Sequence, residues 1–489
     1  MSIRLLAADG FILNMRTRMP FRYGITTLTA LPHLFLRVEA EIDGRKQIGL
    51  SADHLPPKWF TKDPNSAAKD DIAGILEVID SACTIAKAVP RKSNVFQFWQ
   101  HLYEGQGAWG GGWGKAPLLA HFGTSLVERA MIDAFCKARN VPFWKAVRHN
   151  TLGIDLGLLQ PELRGREPKD FLPAEPLRQI IARHTVGMVD PLRDGDIAPA
   201  DRVTDGLPQS LEACIRAYGL THFKIKLWGD VAKDVERVRG VAEVIEANVA
   251  GGSYAYTFDA NENFKDVESF REFWQRLASE PTLARFLTKL LFIEQPMHRA
   301  VAMSDAVASA FAKWPDRPPM IIDESDGEVS TAREALAIGY IGTSHKNCKG
   351  VFKGLANRCL IEYRNRIDPD GSQAPSSRRY TMSGEDLSNV GPISLQEDLA
   401  VVSAIGIGDV ERNGHHYFSG LSALPADIQQ TVANAHPDMY RPSAKGYPAL
   451  HIEAGRLNIG SVVDAPFGTA FHLDVDRFTP IAQWRYETL

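Results

Sequence analysis

The sequence predicts a closed (β/α) barrel preceded by an α+β unit, and two observations carry that prediction. From about Arg178 onward, short apolar runs alternate with helical segments, as expected of βαβ units on a parallel sheet. Eight such runs fall within about 240 residues, which favours a closed barrel. At roughly 150 residues per domain, 489 residues would make about three domains, but barrels with attachments exceed that figure, and two are expected.

In the N-terminal unit, His33 to Gly44 alternates strictly, with Leu34, Leu36, Val38, Ala40 and Ile42 on one face and Arg37, Glu39 and Glu41 on the other, the pattern of a half-buried strand. Asp43-Gly44-Arg45 turns into a second short strand through Ile48 and Leu50. Asp71 to Val89 and Leu118 to Ala138 carry helical spacing. Between them, Gly107 to Gly114 resembles a phosphate loop only superficially. Trp109 stands where the first Walker glycine belongs and Ala116 where Ser or Thr belongs, so the stretch reads as an ordinary loop. Asn150 to Glu175 is Pro-rich and charged and reads as an insertion or linker.

The barrel runs are Ile180 to Val189, His222 to Leu227, Tyr254 to Asp259, Leu290 to Glu294, Met320 to Asp323, Tyr340 to Lys346, Tyr380 to Ser383 and Asp409 to His415. Helices separate them; Val231, Val235, Val238, Val241 and Ile245 form one apolar stripe. Beyond Leu424 the rhythm stops, and Leu450 to Asp474 returns to hairpin-like pieces that rejoin the N-terminal unit.

Composition narrows the function. The chain is 44% hydrophobic and 23% charged with a net charge of −4, so the electrostatic footprint of a nucleic-acid or membrane-surface protein is missing. Cys83, Cys136, Cys214, Cys348 and Cys359 are scattered and never spaced CxxC, which fits neither a disulfide framework nor a zinc site and suits a reducing compartment. No apolar run reaches the roughly 18 residues of a membrane span. A cytoplasmic protein is expected, with a small-molecule substrate and other copies of itself as partners, and without nucleic acid or membrane.

In a barrel, chemistry sits at the carboxyl ends of the strands. Three successive runs end in carboxylates, at Asp259, Glu294 and Asp323. Projecting into one mouth they would repel unless a cation sat among them, and oxygen-only ligation suits Mg²⁺, or Mn²⁺ as a substitute. The alternative is that each caps the helix that follows it. In Phe223-Lys224-Ile225-Lys226-Leu227, period two puts both lysines on the face opposite the apolar residues, hence into the lumen if the strand is central and into solvent if it is an edge. Inside, desolvation and mutual repulsion are expected to lower the pKa of Lys226 toward that of a general base. Lys346 lies at the same end of the sixth run, half a circumference away. Such a pair has one obvious use, abstraction of a proton from carbon next to a carboxylate whose enolate a cation stabilises. His345 is turned outward by the same period and is expected to pack.

Lys224-x-Lys226, Asp259-Ala-Asn261, Ile293-Glu294-Gln-Pro296, Asp323-Glu324-Ser325 and Lys346, in this order, resemble the muconate lactonizing enzyme branch of the mandelate racemase/muconate lactonizing enzyme family in the enolase superfamily. Phe122 to Ala146 is similar to the family's cap helix and Gly455 to Asp474 to its C-terminal return. The resemblance implies a modified TIM barrel, (β/α)₇β, under an α+β capping domain, with the cap at 1–148, the insertion at 149–177, the barrel at 178–424 and the returning segment at 425–489. It implies Asp259, Glu294 and Asp323 as Mg²⁺ ligands and Lys226 and Lys346 as acid/base catalysts, with Lys224 beside them. Two departures stand out: Asn347-Cys348-Lys349-Gly350-Val351 lacks the double glycine usual after that lysine, and the insertion lengthens the chain. Mandelate racemase itself pairs an Asp on strand six with a His on strand seven, whereas strand seven here ends Ser383-Gly384-Glu385-Asp386.

Substrate contacts are expected from Asn261, Glu385, His416 and Tyr23. The polar end of strand eight, Glu411 to Tyr417, reads either as substrate-contacting or as a solvated loop. Arg22 and Tyr23 fall in the N-terminal loop that covers the substrate in this family, and Trp59-Phe60 follows the second predicted strand; either pair could instead be packing. The expected activity is Mg²⁺-dependent α-proton abstraction from a small carboxylate by a racemase, epimerase or cycloisomerase. A lyase such as an acid-sugar dehydratase is the alternative, and a non-catalytic binding barrel is the reading from a different class.

Overall fold

The computed structural model describes residues 1–369 and 379–489. Three long strands, β1 (Ile3–Tyr23), β2 (Thr26–Ile42) and β3 (Arg45–His54), form an antiparallel sheet in that order, with Thr479–Pro480 pairing on the outer edge of β1. Strand β1 carries no clean alternation in the sequence, because its register against β2 shifts between Leu5 and Ala7 and again between Arg16 and Phe21. The first adds one extra residue to β1 and the second three, and an odd offset turns the following side chains to the other face and interrupts the period-two signal. Arg22 and Tyr23 therefore end a strand rather than lie in a loop, and Trp59-Phe60 follows the third strand of the sheet.

Helices α1 (Ala68–Ala88), α2 (Val95–Gly112) and α3 (Pro117–Arg139) pack together, and α3, buried from Leu118 to Cys136, also lies on β3. The glycine-rich stretch is helical through Gly112, which corrects the loop expected there. Tertiary packing overrides low helix propensity: a Cβ on Gly110 would stand 2.8 Å from the Ala120 Cβ, so glycine lets α2 approach α3 closely. The 149–177 segment, read as an insertion or linker, is packed against the rest of the chain. Leu152, Leu156, Leu159 and Leu163 are buried, and Gln160 Nε2 donates to Asn357 Oδ1 at 3.0 Å.

Eight parallel strands close the barrel: β4 (Gln179–Val186), β5 (His222–Lys226), β6 (Ala255–Asp259), β7 (Leu290–Glu294), β8 (Met320–Ile322), β9 (Gly342–His345), β10 (Thr381–Gly384) and β11 (Asp409–Glu411), with β11 pairing back onto β4. Seven crossovers carry helices: α4 (Leu211–Tyr218), α5 (Val231–Asn248), α6 (Val267–Ala278), α7 (Asp305–Ala312), α8 (Thr331–Ile338), α9 (Val351–Ile367) and α10 (Ser394–Ala404). The fold is thus a (β/α)₇β barrel with an α+β cap. Outward residues such as Phe223, Ile225 and Leu227 join an apolar layer with Val235, Val238 and Val241 of α5. Inside, Phe292, Ile321 and Ile341 plug the barrel with a small apolar cluster, and charged side chains fill the layers above it. The hairpin of Ile452–Glu453 and Arg456–Asn458 extends β4 rather than the cap sheet, which the returning chain reaches only at Thr479–Pro480. Among the described residues, no helix is long and apolar enough to cross a membrane.

Two buried charges of α3 fasten cap to barrel. Arg129 donates to Asp53 of β3 and to Glu397 of α10, each at 3.0 Å. Glu128 accepts from the Val351 and Phe352 amides at 3.0 and 2.7 Å, satisfying free N–H groups at the start of α9. Burial pushes the Glu128 carboxyl up to about 7. Because the folded value lies above the unfolded one, its stabilising contribution is complete below about pH 4.5 and is lost as pH rises toward 7. Thermal melts from pH 4.5 to 8 are expected to show a decline attributable to Glu128 that Glu128→Gln removes; an unchanged slope in the variant would contradict this.

Candidate active-site cavity and metal-binding clusters

The even-numbered positions of β5 turn inward, as period two requires, and the chain-end positions of its neighbours meet them. Lys224 Nζ sits among four carboxylates, 3.0 Å from Asp259, 2.8 Å from Glu294, 2.8 Å from Glu385 and 2.9 Å from Glu411. Lys226 Nζ donates to Asp259 Oδ2 at 2.5 Å. Across the barrel, Lys346 Nζ donates to Asp323 Oδ2 at 2.7 Å and to Glu385 Oε2 at 2.6 Å. Strands β5 and β9 are four apart in the eight-strand order, so Lys226 and Lys346 approach from opposite walls. All these groups are buried.

The three predicted carboxylates are ion-paired inside the barrel and do not serve merely as exposed caps. Asp323 meets Lys346, Lys349 at 2.7 Å and the Ser344 hydroxyl. Burial pushes its carboxyl up, but Lys346 and Lys349 outweigh that and hold it well below the usual range. Glu294 is the opposite case: burial, with Asp259 and Glu385 nearby, drives it well above its ordinary value. Its Oε2 accepts no hydrogen bond, and the Lys224 ammonium 2.8 Å away lies outside hydrogen-bonding geometry. Lys226 departs from expectation. Desolvation does depress it, but Asp259 more than compensates, so its pKa lies above the ordinary lysine value rather than below. Repulsion from Lys224 is a smaller effect than the attraction of Asp259.

Among the described residues, two groups of side chains place potential ligand atoms within 4.8 Å of one another. The first is Glu294, Asp323 and Glu385. It contains two of the three predicted ligands and exchanges Asp259, which is engaged by both lysines of β5, for Glu385, which was expected to touch substrate. An all-oxygen set with an unsatisfied buried carboxylate oxygen fits a hard divalent cation. The second group, His184, Cys214 and His416, lies outside the lumen.

A small cavity lies over the charged floor. Lys224, Lys226, Asp259, Asn261, Asp323 and Lys346 line it from the barrel, and Phe21, Tyr23, Leu28, Leu31 and Trp59 roof it from the cap. Tyr23 Oη donates to the Pro57 carbonyl at 2.7 Å, and Phe21 stacks on Tyr417 with centroids 4.0 Å apart. Trp59 is held by Arg299, which donates to its carbonyl at 2.8 Å and to Glu262 Oε2 at 2.7 Å; its ring lies 5.3 Å from Lys346 Nζ. Asn261 Nδ2 reaches Asp259 Oδ2 at 3.3 Å. His345 packs outward, so close to α9 that a Cβ on Gly354 would stand 2.2 Å from its Nδ1.

The strand-eight terminus is buried, which removes the solvated-loop reading. Glu411 and Asn413 line the cavity, but His416 does not, its ring facing Cys214 and Asp190 instead. Sequence reasoning missed three contributors. Lys349 and Ser344 hold Asp323, and Gln295 clamps the end of β8 by accepting from the Asp323 amide at 2.8 Å while donating to Ser325 Oγ at 2.9 Å. Gln295 adopts φ 37° and Asn261 φ 41°, left-handed values that non-glycine residues take infrequently. The Gln295-Pro296 pair after a strand-ending glutamate was the available signal.

No family model and no curated protein sequence matches the chain. Solved structures do. Muconate lactonizing enzyme from Pseudomonas fluorescens, complexed with muconolactone, is 16% identical with a TM-score of 0.59, over 97% of this chain and 98% of that one. A mandelate racemase/muconate lactonizing enzyme from Bordetella bronchiseptica RB50 is 17% identical with a TM-score of 0.58, over 98% and 99%. Dipeptide epimerase from Enterococcus faecalis V583, complexed with Mg and L-Leu-L-Tyr, is 14% identical with a TM-score of 0.56, over 94% and 100%. At such identities the likeness is one of fold.

Proposed function

We propose that this chain is a mandelate racemase/muconate lactonizing enzyme family member that abstracts the α-proton of a small carboxylate, acting as a racemase, epimerase or cycloisomerase. The observation that carries the proposal is the pair of lysines, Lys226 and Lys346, on opposed strands and lining one cavity across a carboxylate cluster. The full-length fold likeness supports it.

Glu294, Asp323 and Glu385 would hold a Mg²⁺ or Mn²⁺ ion, with Asp259 at their side. When bound, that ion would supply positive charge to stabilise the enolate form of the substrate. The chain's own residues do the rest. Lys226 and Lys346 exchange a proton with opposite faces of the α-carbon. Each ammonium is ion-paired, Lys226 with Asp259 and Lys346 with Asp323 and Glu385, so each is held protonated and oriented at the cavity wall. Lys349 and Ser344 keep Asp323 in place, and Lys224 holds four carboxylates together at the floor. The aromatic roof keeps water from an intermediate that it would quench.

The test is a screen of amino acids, dipeptides and acid sugars for solvent-deuterium incorporation at the α-carbon. Cation-dependent incorporation is expected for at least one class, with the α-configuration scrambled or a ring isomer formed. Loss of a β-substituent would assign a lyase. A cation-independent null across all classes, with folded protein, would leave a binding barrel.

A further inference from the structure

We propose a second metal site, for zinc, built from His184, Cys214 and His416 on the outside of the barrel. The three come from β4, α4 and the turn after β11, and all are buried. Arg183 and Thr185 point inward, to Ser383 and Glu411, so His184 between them points out toward α4. None of the three lines the carboxylate cavity.

The donors and their spacing match zinc. Imidazole and thiolate are the ligands this ion prefers, in contrast to the oxygen set inside the barrel. With Zn–S about 2.3 Å and Zn–N about 2.0–2.1 Å, a tetrahedral site has an S···N edge of about 3.6 Å. Cys214 Sγ stands 3.6 Å from His416 Nδ1. All three ligand atoms lie within 4.8 Å of one another.

The surroundings are also those of a metal site. Ligating histidines usually turn their second ring nitrogen to a carboxylate or another polar group that orients them. His416 Nε2 faces Asp190 Oδ2 at 3.6 Å, and Asp190 is fixed by the Tyr417 hydroxyl at 2.6 Å and the Gly187 amide at 2.7 Å. Behind the other imidazole, His415 Nε2 contacts His184 Nδ1 at 3.1 Å.

Such an ion would hold the cavity wall. The turn that carries His416 follows Glu411 and Asn413, which line the cavity, and the His416 carbonyl accepts from Arg18 of β1 at 3.0 Å. A zinc ion tying that turn to β4 and α4 would fix both the wall and the anchor of the cap hairpin.

Cobalt substitution tests this without any substrate. The full-length protein, stripped by a chelator and loaded with Co²⁺ in the presence of Mg²⁺, is expected to show a thiolate-to-cobalt charge-transfer band and tetrahedral d–d absorption at one equivalent. Cys214→Ser should abolish the charge-transfer band, and Asp323→Asn, which damages only the carboxylate cluster, should retain it. As isolated, the protein should carry about one zinc per chain that survives dialysis against Mg²⁺. Absence of the thiolate band in the unmodified protein would overturn the proposal, whatever the fate of the variants. So would its persistence in Cys214→Ser, since each of the other four cysteines stands outside the clustered ligand sets.

Discussion

Replacing Asp323 by Asn is expected to lower divalent-cation affinity by more than about 100-fold, because groups that merely orient a metal ligand are already worth about 10–100-fold each. Asn keeps the shape of the side chain and one acceptor for Lys349 or Lys346, but it removes the charge that holds both ammonium groups. Losing one partner of a buried ion pair costs about 3–5 kcal/mol when the other charge is left bare. Here Glu385 still engages Lys346 and Ser344 still engages Lys349, so the fold should survive with a lowered melting temperature. Calorimetric titration with Mg²⁺ reads the affinity, and circular dichroism checks the fold. The same titration on Asp259→Asn and Glu385→Gln ranks the two remaining candidates: the geometry, which groups Glu385 with Glu294 and Asp323, predicts the larger loss for Glu385→Gln. Wild-type affinity in folded Asp323→Asn would sink the carboxylate assignment.

The barrel was legible because its strands are buried on both faces and its helices on one, so apolar runs and amphipathic stripes alternate plainly along the chain. All eight runs became strands. The cap was less legible: β1 hides behind two register shifts, and α2 behind a run of glycines, of which Gly110 lets it approach α3 closely. At the site, period-two geometry put both lysines on one face of their strand, while the choice between lumen and solvent, and between ligand and cap for the carboxylates, rested on the barrel and on the resemblance. What that geometry could not supply was their charge balance. Whether Lys226 is depressed or raised depends on how near Asp259 stands, and a sequence does not contain that distance. Glu385 reads in the sequence as a substrate contact at the end of strand seven, and its place in the carboxylate cluster emerges only when β10 is set beside β9, which brings it within 2.6 Å of Lys346. The His184, Cys214 and His416 cluster illustrates the same limit, since ligands drawn from β4, α4 and the turn after β11 leave no spacing motif.

Lys226→Ala and Lys346→Ala are expected to fail differently, each by about 10²–10⁴-fold, the usual worth of a general acid or base. The strands that carry them face each other across the barrel, so each ammonium can reach only one face of a substrate lying between them. If the reaction is a racemisation or epimerisation, Lys226→Ala should stop deuterium wash-in from one configuration and spare the other, and Lys346→Ala should do the reverse. If it is a cycloisomerisation, one variant should lose exchange outright while the other keeps exchange and loses the later step. Secondary damage differs too and can be separated. Removing Lys226 leaves Asp259 with Lys224, whereas removing Lys346 leaves Glu385 with Lys224 and Asp323 with Lys349, so each carboxylate retains a cationic partner and cation affinity should not fall in either variant. Measuring Mg²⁺ affinity beside exchange therefore distinguishes loss of a base from collapse of the carboxylate cluster. Unimpaired exchange in both variants would mean that neither lysine moves the proton. His345 and His416 could not inherit the role, because one packs against α9 and the other faces Cys214, both away from the cavity.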